Sequence, residues 1–372
     1  MNVLILNSAQ SKYPVGNDQW VKGTIRAMQS LKTNNIHSHI LCSTEPSPWN
    51  LVTYLAGKSS MKVKLIIKSK EDKSGRIEFS RLIEEYTLNE NLTQPIFLGE
   101  GSSGHPKELW PKRDRLALTL ADEVYPVSIR PGGRLDTLLR EIPFTAKVRN
   151  DFRIDWTKPG RRLVYNFENS PVNLLPPGEW LIHWTHTSPG PWQGEKAWEY
   201  YRDLVASPEN YVRSAQETLI RIITEQKIRS TTWRFPDNEP AVSFTSLDPG
   251  DAVKLMRWRK RFVRYSFEPF GIGIKKSILV KMGAGEVTYR NGRSCLATPN
   301  RFFSQSAGKQ GDWTREKEWR IRNDLCLGVV ECKEMIIIVP DKVSYDYVKS
   351  RIKHNVLIHV LFASNPATAP FK

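Results

Sequence analysis

Apolar and polar positions alternate in blocks along the first part of the chain. Short apolar runs fall at Val3–Asn7, His39–Ser43, Val63–Ile67, Pro95–Leu98 and Val124–Ser128. Between them lie stretches of helical period, such as Trp20–Leu31 and Ile77–Tyr86, the second with Ile77, Leu82, Ile83 and Tyr86 spaced to share a face. Strand–helix alternation of this kind predicts a mainly parallel sheet covered by helices, a Rossmann-like α/β domain over residues 1–150.

The pattern then dissolves. KPGRR (158–162) and NSPVNLLPPGEW (169–180) are rich in Pro, Gly and Asn, which stop regular structure, so residues 151–179 read as a connector. Beyond it, over 180–372, strands and helices mix without βαβ regularity. Strands are expected at Trp180–Trp184, Ala241–Thr245, Phe270–Lys275, Glu286–Arg290, Glu318–Arg322 and Met335–Val339, with a helix at Tyr211–Gln226. An α+β domain follows from that mixture.

In parallel sheets, ligands bind beyond the carboxyl ends of the strands. Three stretches fall there: Asn7–Gly16, GEGSSGHP (99–106) and RPGGRLDTLL (130–139). Gly132 and Gly133 stand at an expected helix start, where backbone N–H groups hold phosphates. A nucleotide or related ligand is therefore an expectation for the N-terminal domain, although no GxGxxG or Walker pattern is present. GGRLDTLL resembles the Gly-Gly loop of nucleotide-processing Rossmann-like proteins of the lysine-decarboxylase-like group.

Charge changes the picture more than composition does. Fifty-five Lys and Arg against 39 Asp and Glu give a net charge of +16, a field that attracts polyanions, so DNA or RNA is the expected partner. No apolar run is long enough to span a bilayer, and no basic segment precedes the apolar N-terminus. The four cysteines lack CxxC spacing, and the histidines add no metal-ligand pattern, which suggests a reducing cytoplasmic setting without a structural zinc site.

Four stretches carry candidate chemistry. In DWTREKEWRIRND (312–324), a strand would place Glu316, Glu318 and Arg320 on one face, and paired carboxylates suit acid–base or cation-stabilising work. An edge strand with solvated charges is the competing reading. In LIHWTHTSPGPW (181–192), His183 and Thr185 share one strand face, Trp184 and His186 the other; a core histidine is the plain alternative. In AVSFT (241–245), Ser243 and Thr245 share a face. RWRKRFVRYSFEPFGIGI (257–274) interleaves Arg257, Arg259, Lys260, Arg261 and Arg264 with aromatic residues, a composition that binds phosphates and stacks on bases. The same segment also reads as a basic helix packing Trp258, Phe262 and Tyr265 inward.

In order, HWTH, VSFT, YSFEPFGIGIKK, VTYRNG and WTREKEWRI resemble the core of bacterial proteins related to abortive phage-resistance proteins, over roughly residues 180–340. That core is distantly similar to ADP-ribosyltransferases. The resemblance implies an ADP-ribosyltransferase-like α+β domain that uses NAD as substrate and no metal. It implies His183 as the first-strand residue on the NAD ribose, with Thr185 beside it, and Ser243, Thr245 or Tyr265 at the nicotinamide. Glu318 takes the place of the catalytic glutamate, and Glu316 that of its partner. The acidic residue usual after FT is replaced by Ser246. The implied activity is antiphage ADP-ribosyl transfer to nucleic acid. Two other classes compete: a nucleic-acid sensor without catalysis, and a glycosylase or nuclease. A two-metal nuclease is disfavoured because no further Asp or Glu cluster accompanies the pair.

Overall fold

The computed structural model describes residues 1–34, 37–99, 106–141, 147–160, 165, 175–232, 235–260, 263–290, 301–306, 313–353 and 355–362. The chain is mixed α/β and divides into two compact units, 1–160 with 189–212, and 161–188 with 213–372.

Among the described residues, the first unit holds a six-stranded sheet. Its strands are β1 (Asn2–Asn7), β2 (His39–Ser43), β3 (Lys62–Ile67), β4 (Thr93–Phe97), β5 (Glu123–Ser128) and β6 (Lys147–Val148), in the order β4-β3-β2-β1-β5-β6. Every pairing is parallel. Val3, Leu4, Ile5 and Leu6 are all buried, as a central parallel strand covered on both faces requires. The intervening helices are α1 (Gln19–Asn34), α2 (Ser47–Lys58), α3 (Lys73–Tyr86), α4 (Pro106–Leu120) and α5 (Arg134–Glu141). Leu4 and Leu6 pack in one core with Ala117 and Leu118 of α4 and Leu135 and Leu138 of α5. Asn7 points the other way, its Nδ2 donating to Thr24 Oγ1 of α1 at 3.0 Å.

Strand order reverses at β1 and β5, the place where such sheets open a crevice. Here the two loops are stitched together. Ser8 N donates to Ser128 O at 2.8 Å, Arg130 N to Ser8 Oγ at 2.9 Å, and Gln10 Nε2 to Ser128 Oγ at 3.1 Å. The amide expected to hold a phosphate, that of Gly132, donates instead to Asp136 Oδ2 at 2.9 Å. A carboxylate of the chain itself thus caps the start of α5, and the Gly132 hydrogen bond holds the Asp136 carboxyl below its ordinary value. Residues 100–105 of the GEGSSGHP stretch lie outside the described residues.

The observed units differ from the expected domain limits at one point. The units part at residue 160, inside the expected connector, and segment 189–212 belongs with the first unit instead of the second. The reason is α6 (Ala197–Ala206), whose Tyr200, Tyr201 and Leu204 are buried. Tyr201 stacks on Tyr54, and Tyr211 meets Tyr13 edge to face. Gly16 N and Asn17 N donate to Ser207 O and Pro208 O. The approach is so close that a Cβ at Gly16 would stand 2.8 Å from Ser207 O.

The second unit is built on a mixed seven-stranded sheet. Its strands are β7 (Trp180–Trp184), β9 (Ala241–Thr245), β12 (Gly271–Lys275), β13 (Gly285–Glu286), β16 (Glu318–Arg322), β18 (Met335–Val339) and β19 (Leu357–Val360), in the order β13-β16-β9-β7-β12-β18-β19. All pairs are antiparallel except β18 with β19. Small two-stranded pieces flank it: β8 (Lys227–Ile228) with β17 (Leu325–Cys326), β10 (Trp258–Arg259) with β11 (Arg264–Tyr265), and β14 (Thr288–Arg290) with β15 (Ser304–Ser306). Helices α7 (Ala215–Glu225), α8 (Pro249–Val253), α9 (Lys276–Lys281) and α10 (Lys342–Arg351) complete it. Ser214 caps α7, its side chain accepting from Glu217 N, and Gln226 ends it in the left-handed conformation.

Alternation decides the two faces. Leu181, Val242, Phe244, Trp319 and Ile321 share a core with Leu219 and Ile223 of α7. Ile182, Trp184, Ile336 and Ile338 belong to the opposite core. Ser243, Glu318 and Arg320, out of phase with the first set, are thereby turned away from α7. Gly271 lets β12 approach β7, since a Cβ there would stand 2.9 Å from the Trp184 ring.

One buried carboxylate anchors the end of β7. Glu268, with no exposure, accepts from Thr187 N at 2.6 Å, Thr187 Oγ1 at 2.8 Å and Tyr165 Oη at 2.7 Å. Replacing it leaves those buried donors without an acceptor. Glu268→Ala is expected to cost about 2–4 kcal/mol in chemical denaturation, and Glu268→Gln, which keeps one acceptor oxygen, less. Midpoints equal to the parent's would refute the anchoring role.

Candidate active site

A cleft of about 460 Å³ opens where β7, β9 and β16 meet the β10–β11 ribbon. Its acidic wall starts from Arg320, which is 1% exposed. Arg320 Nε and Nη2 donate to the two oxygens of Glu318 at 2.8 and 3.0 Å. It also donates to Phe302 O at 2.9 Å, Ser304 O at 3.5 Å and Gln305 Oε1 at 2.8 Å, and its Cζ lies 4.9 Å from the Phe235 ring centroid. Ser243, opposite Arg320 on β9, donates its hydroxyl to Glu318 Oε1 at 2.9 Å. Glu318 is thus fixed from two sides, yet its side chain keeps 15% exposure and lines the cleft.

Glu316 arrives by a different route from the one expected. It does not share the strand with Glu318. Trp313–Glu316 form a 3₁₀ turn, Lys317 has φ +43°, and β16 starts only at Glu318. Thr245 Oγ1 donates to Glu316 O at 2.6 Å, and Ser246 N to Lys317 O at 3.1 Å, which pins the turn. Both carboxyls still line one cleft. Burial, then the charge of Glu318, pushes the Glu316 carboxyl up to about 7, against smaller opposing effects of Arg259 and Arg257.

His183 sits where the sheet splits. β7 and β9 pair only at Ile182 and Thr245. Beyond that point the His183 ring bonds the strand through Nδ1, 2.9 Å from Ser243 O. A carbonyl only accepts, so Nδ1 carries the proton; burial lowers the ring's pKa, which leaves Nε2 with a lone pair. His186, lower in the same cleft, is pushed down to about 3 by burial, Arg264 and His183.

The basic aromatic segment forms a ribbon and not a helix. Trp258 pairs with Tyr265 and Arg259 with Arg264. Arg259, Arg264 and Tyr265 line the cleft, whereas Arg257 and Lys260 are exposed. Arg261 lies outside the described residues.

The structure brings together His183, Ser243, Thr245, Tyr265, Glu316, Glu318, Arg259 and Arg264. Thr185 is separated from them. It is 1% exposed and spends its hydroxyl on Ala215 O at 2.8 Å and Phe270 O at 3.0 Å, because alternation turns it toward α7. Of the candidates at the middle position, Thr245 is committed to the backbone, and Tyr265 Oη accepts from Tyr165 N at 3.2 Å. Ser243 donates its hydroxyl to the Glu318 carboxylate. Sequence reasoning missed Arg320 as the group holding Glu318, although the E-x-R spacing on a strand was visible. It also missed His186, Arg229 and Phe235 as cleft residues. Among the described residues, no group of three or more His, Cys, Asp or Glu is placed to hold a metal ion, and no helix is long and apolar enough to cross a membrane.

Comparison with protein-family models, curated proteins and solved structures gives no match to this chain.

The raised Glu316 carboxyl has a stability consequence of definite sign. Between its ordinary 4.5 and about 7, the folded chain holds a proton that the unfolded chain has lost. Stability therefore falls as pH rises through that window. Glu316→Gln removes the penalty, so the variant should melt above the parent at pH 8, with the advantage shrinking toward pH 4.5. Thermal melts showing the same difference at both pH values would contradict this placement of Glu316.

Proposed function

We propose that the second unit cleaves NAD at the nicotinamide–ribose bond and transfers ADP-ribose to nucleic acid, in cytosolic defence against phage. The observation that carries the reading is the pair of cleft carboxyls held in unlike environments, Glu318 bonded to Arg320 and Ser243, Glu316 buried beside it with a carboxyl raised to about 7. Environments that treat two carboxyls differently are how one site assigns two roles.

In this reading the C1′–N1 bond breaks with its electrons passing to the pyridinium nitrogen, which leaves as neutral nicotinamide. Positive charge develops on the ribose carbon, and the fixed Glu318 carboxylate stabilises it without having to reorganise. The acceptor's lone pair forms the new bond to C1′, and the acceptor's proton passes to ionised Glu316. His183 Nε2 serves as acceptor for a ribose hydroxyl. The aromatic side chains of Trp184, Tyr265 and Phe267 supply flat apolar surface for the nicotinamide.

Charge supports a nucleic-acid acceptor. The second unit contains thirty of the 55 Lys and Arg and eighteen of the 39 Asp and Glu, so it carries +12 of the net +16. Exposed Arg257 and Lys260 border the cleft ribbon and suit a phosphate backbone. The defence setting rests on the resemblance of the HWTH, VSFT, FGIGIKK and EKEWR segments alone.

Incubation with labelled NAD and DNA, RNA or buffer tests the reading. The parent should release nicotinamide and label nucleic acid, and Glu318→Gln should lower both by about 100-fold or more. A parent inert toward NAD that binds nucleic acid in a salt-sensitive way would point to a sensor. Base release or strand scission without NAD would point to a glycosylase or nuclease.

A further inference from the structure

The β10–β11 ribbon sets Arg259 directly opposite Arg264, and both line the cleft. Two guanidinium forks set side by side match the oxygens of a doubly charged anion. Among the described residues the ribbon has one other pair, Trp258 with Tyr265, whose rings meet edge to face at 5.3 Å. Both arginines are half-buried, where solvent screens an anion less than at an open surface.

Their place in the cleft is also defined. Arg259 is close enough to Glu316 to pull its carboxyl pKa down, and Arg264 close enough to His186 to lower that ring. The clamp on Glu318 is made by Arg320 and Ser243. Beside Arg264, the buried His186 Nδ1 has no hydrogen-bond partner among the described residues, a further polar atom for a ligand to reach. The cleft therefore has a carboxylate wall and an adjoining cationic ledge.

We propose that Arg259 and Arg264 clamp the two linked phosphates of a dinucleotide, so that the scissile ribose reaches Glu318. This rests on the NAD reading and deepens it by naming the diphosphate subsite. A cleft of about 460 Å³ is of small-ligand size, which favours a diphosphate over a nucleic-acid strand at this ledge. The strand is left to the exposed Arg257 and Lys260 on the outside of the ribbon.

The test compares parent, Arg259→Ala, Arg264→Ala, the double alanine variant and the double lysine variant. Calorimetry with inorganic pyrophosphate measures the ledge directly, and turnover of NAD against nicotinamide riboside measures it in catalysis. Each alanine should weaken pyrophosphate about tenfold, and the double variant should lose the parent's preference for NAD over the riboside. Thermal melts restrict the comparison to variants that fold as the parent does. The lysine variant, which keeps charge without the bidentate fork, should fall between. Unchanged pyrophosphate affinity in folded alanine variants would overturn the clamp. So would retained pyrophosphate binding with lost single-stranded DNA or RNA binding. Pair-dependent pyrophosphate binding by a parent that never turns over NAD would leave the clamp standing and remove the NAD reading. NAD turnover indifferent to the pair would do the reverse.

Discussion

A guanidinium with almost no access to water fixes the geometry of the cleft. Arg320 is 1% exposed and always charged, so its burial is tolerable only with acceptors on every side. Glu318 supplies two of them, and the chain between β14 and β16 supplies Phe302 O, Ser304 O and Gln305 Oε1. Removing either partner would strand a buried charge, a loss of about 3–5 kcal/mol in typical cases. The strand that carries Glu318 is therefore held in place by the same bonds that aim its carboxylate.

That charge then acts on its neighbour. Glu316 is brought alongside by a 3₁₀ turn and a left-handed Lys317, a conformation a lysine adopts only when surrounding bonds impose it. Thr245 and Ser246 of the β9 end supply those bonds. With one carboxylate bonded and the second raised by burial and by the first, the cleft offers an electrostatic stabiliser and a proton acceptor near neutral pH. On the far side, a single residue pair joins β7 to β9, and His183 bridges the opening through the Ser243 carbonyl. Ser243 thus links both walls, its hydroxyl on Glu318 and its carbonyl on His183.

Much of this was legible in the sequence, for physical reasons. Strands β1, β2, β3 and β5 of the first sheet stood out because buried parallel strands are rich in apolar residues, whereas the edge strand β4 is exposed at Gln94 and Pro95. Simple alternation gave the β9 and β16 faces, Ser243 in phase with Thr245 and Glu318 with Arg320, while the pairing that joins Ser243 to Glu318 is a tertiary contact. Alternation failed at Glu316, because nothing in WTREKE marks where the 3₁₀ turn gives way to strand. It misled at Thr185, which does share the phase of His183 but faces α7; His183 escapes only because the sheet splits beside it. The ribbon was hidden because Trp258 and Tyr265 are spaced as well for one helical face as for a cross-strand pair. The recruitment of α6 to the first unit depends on tertiary contacts of Tyr54 and Gly16, far away in the chain.

The central claim is that one cleft places a dinucleotide's scissile ribose at Glu318. A crystal structure of the slow Glu318→Gln variant grown with NAD tests it most directly. The nicotinamide ribose C1′ is expected about 3–3.5 Å from the residue 318 side chain, near-attack distance for a stabilising group, with the diphosphate on Arg259 and Arg264. An empty cleft at saturating NAD, or NAD bound with its ribose away from residue 318, would contradict it.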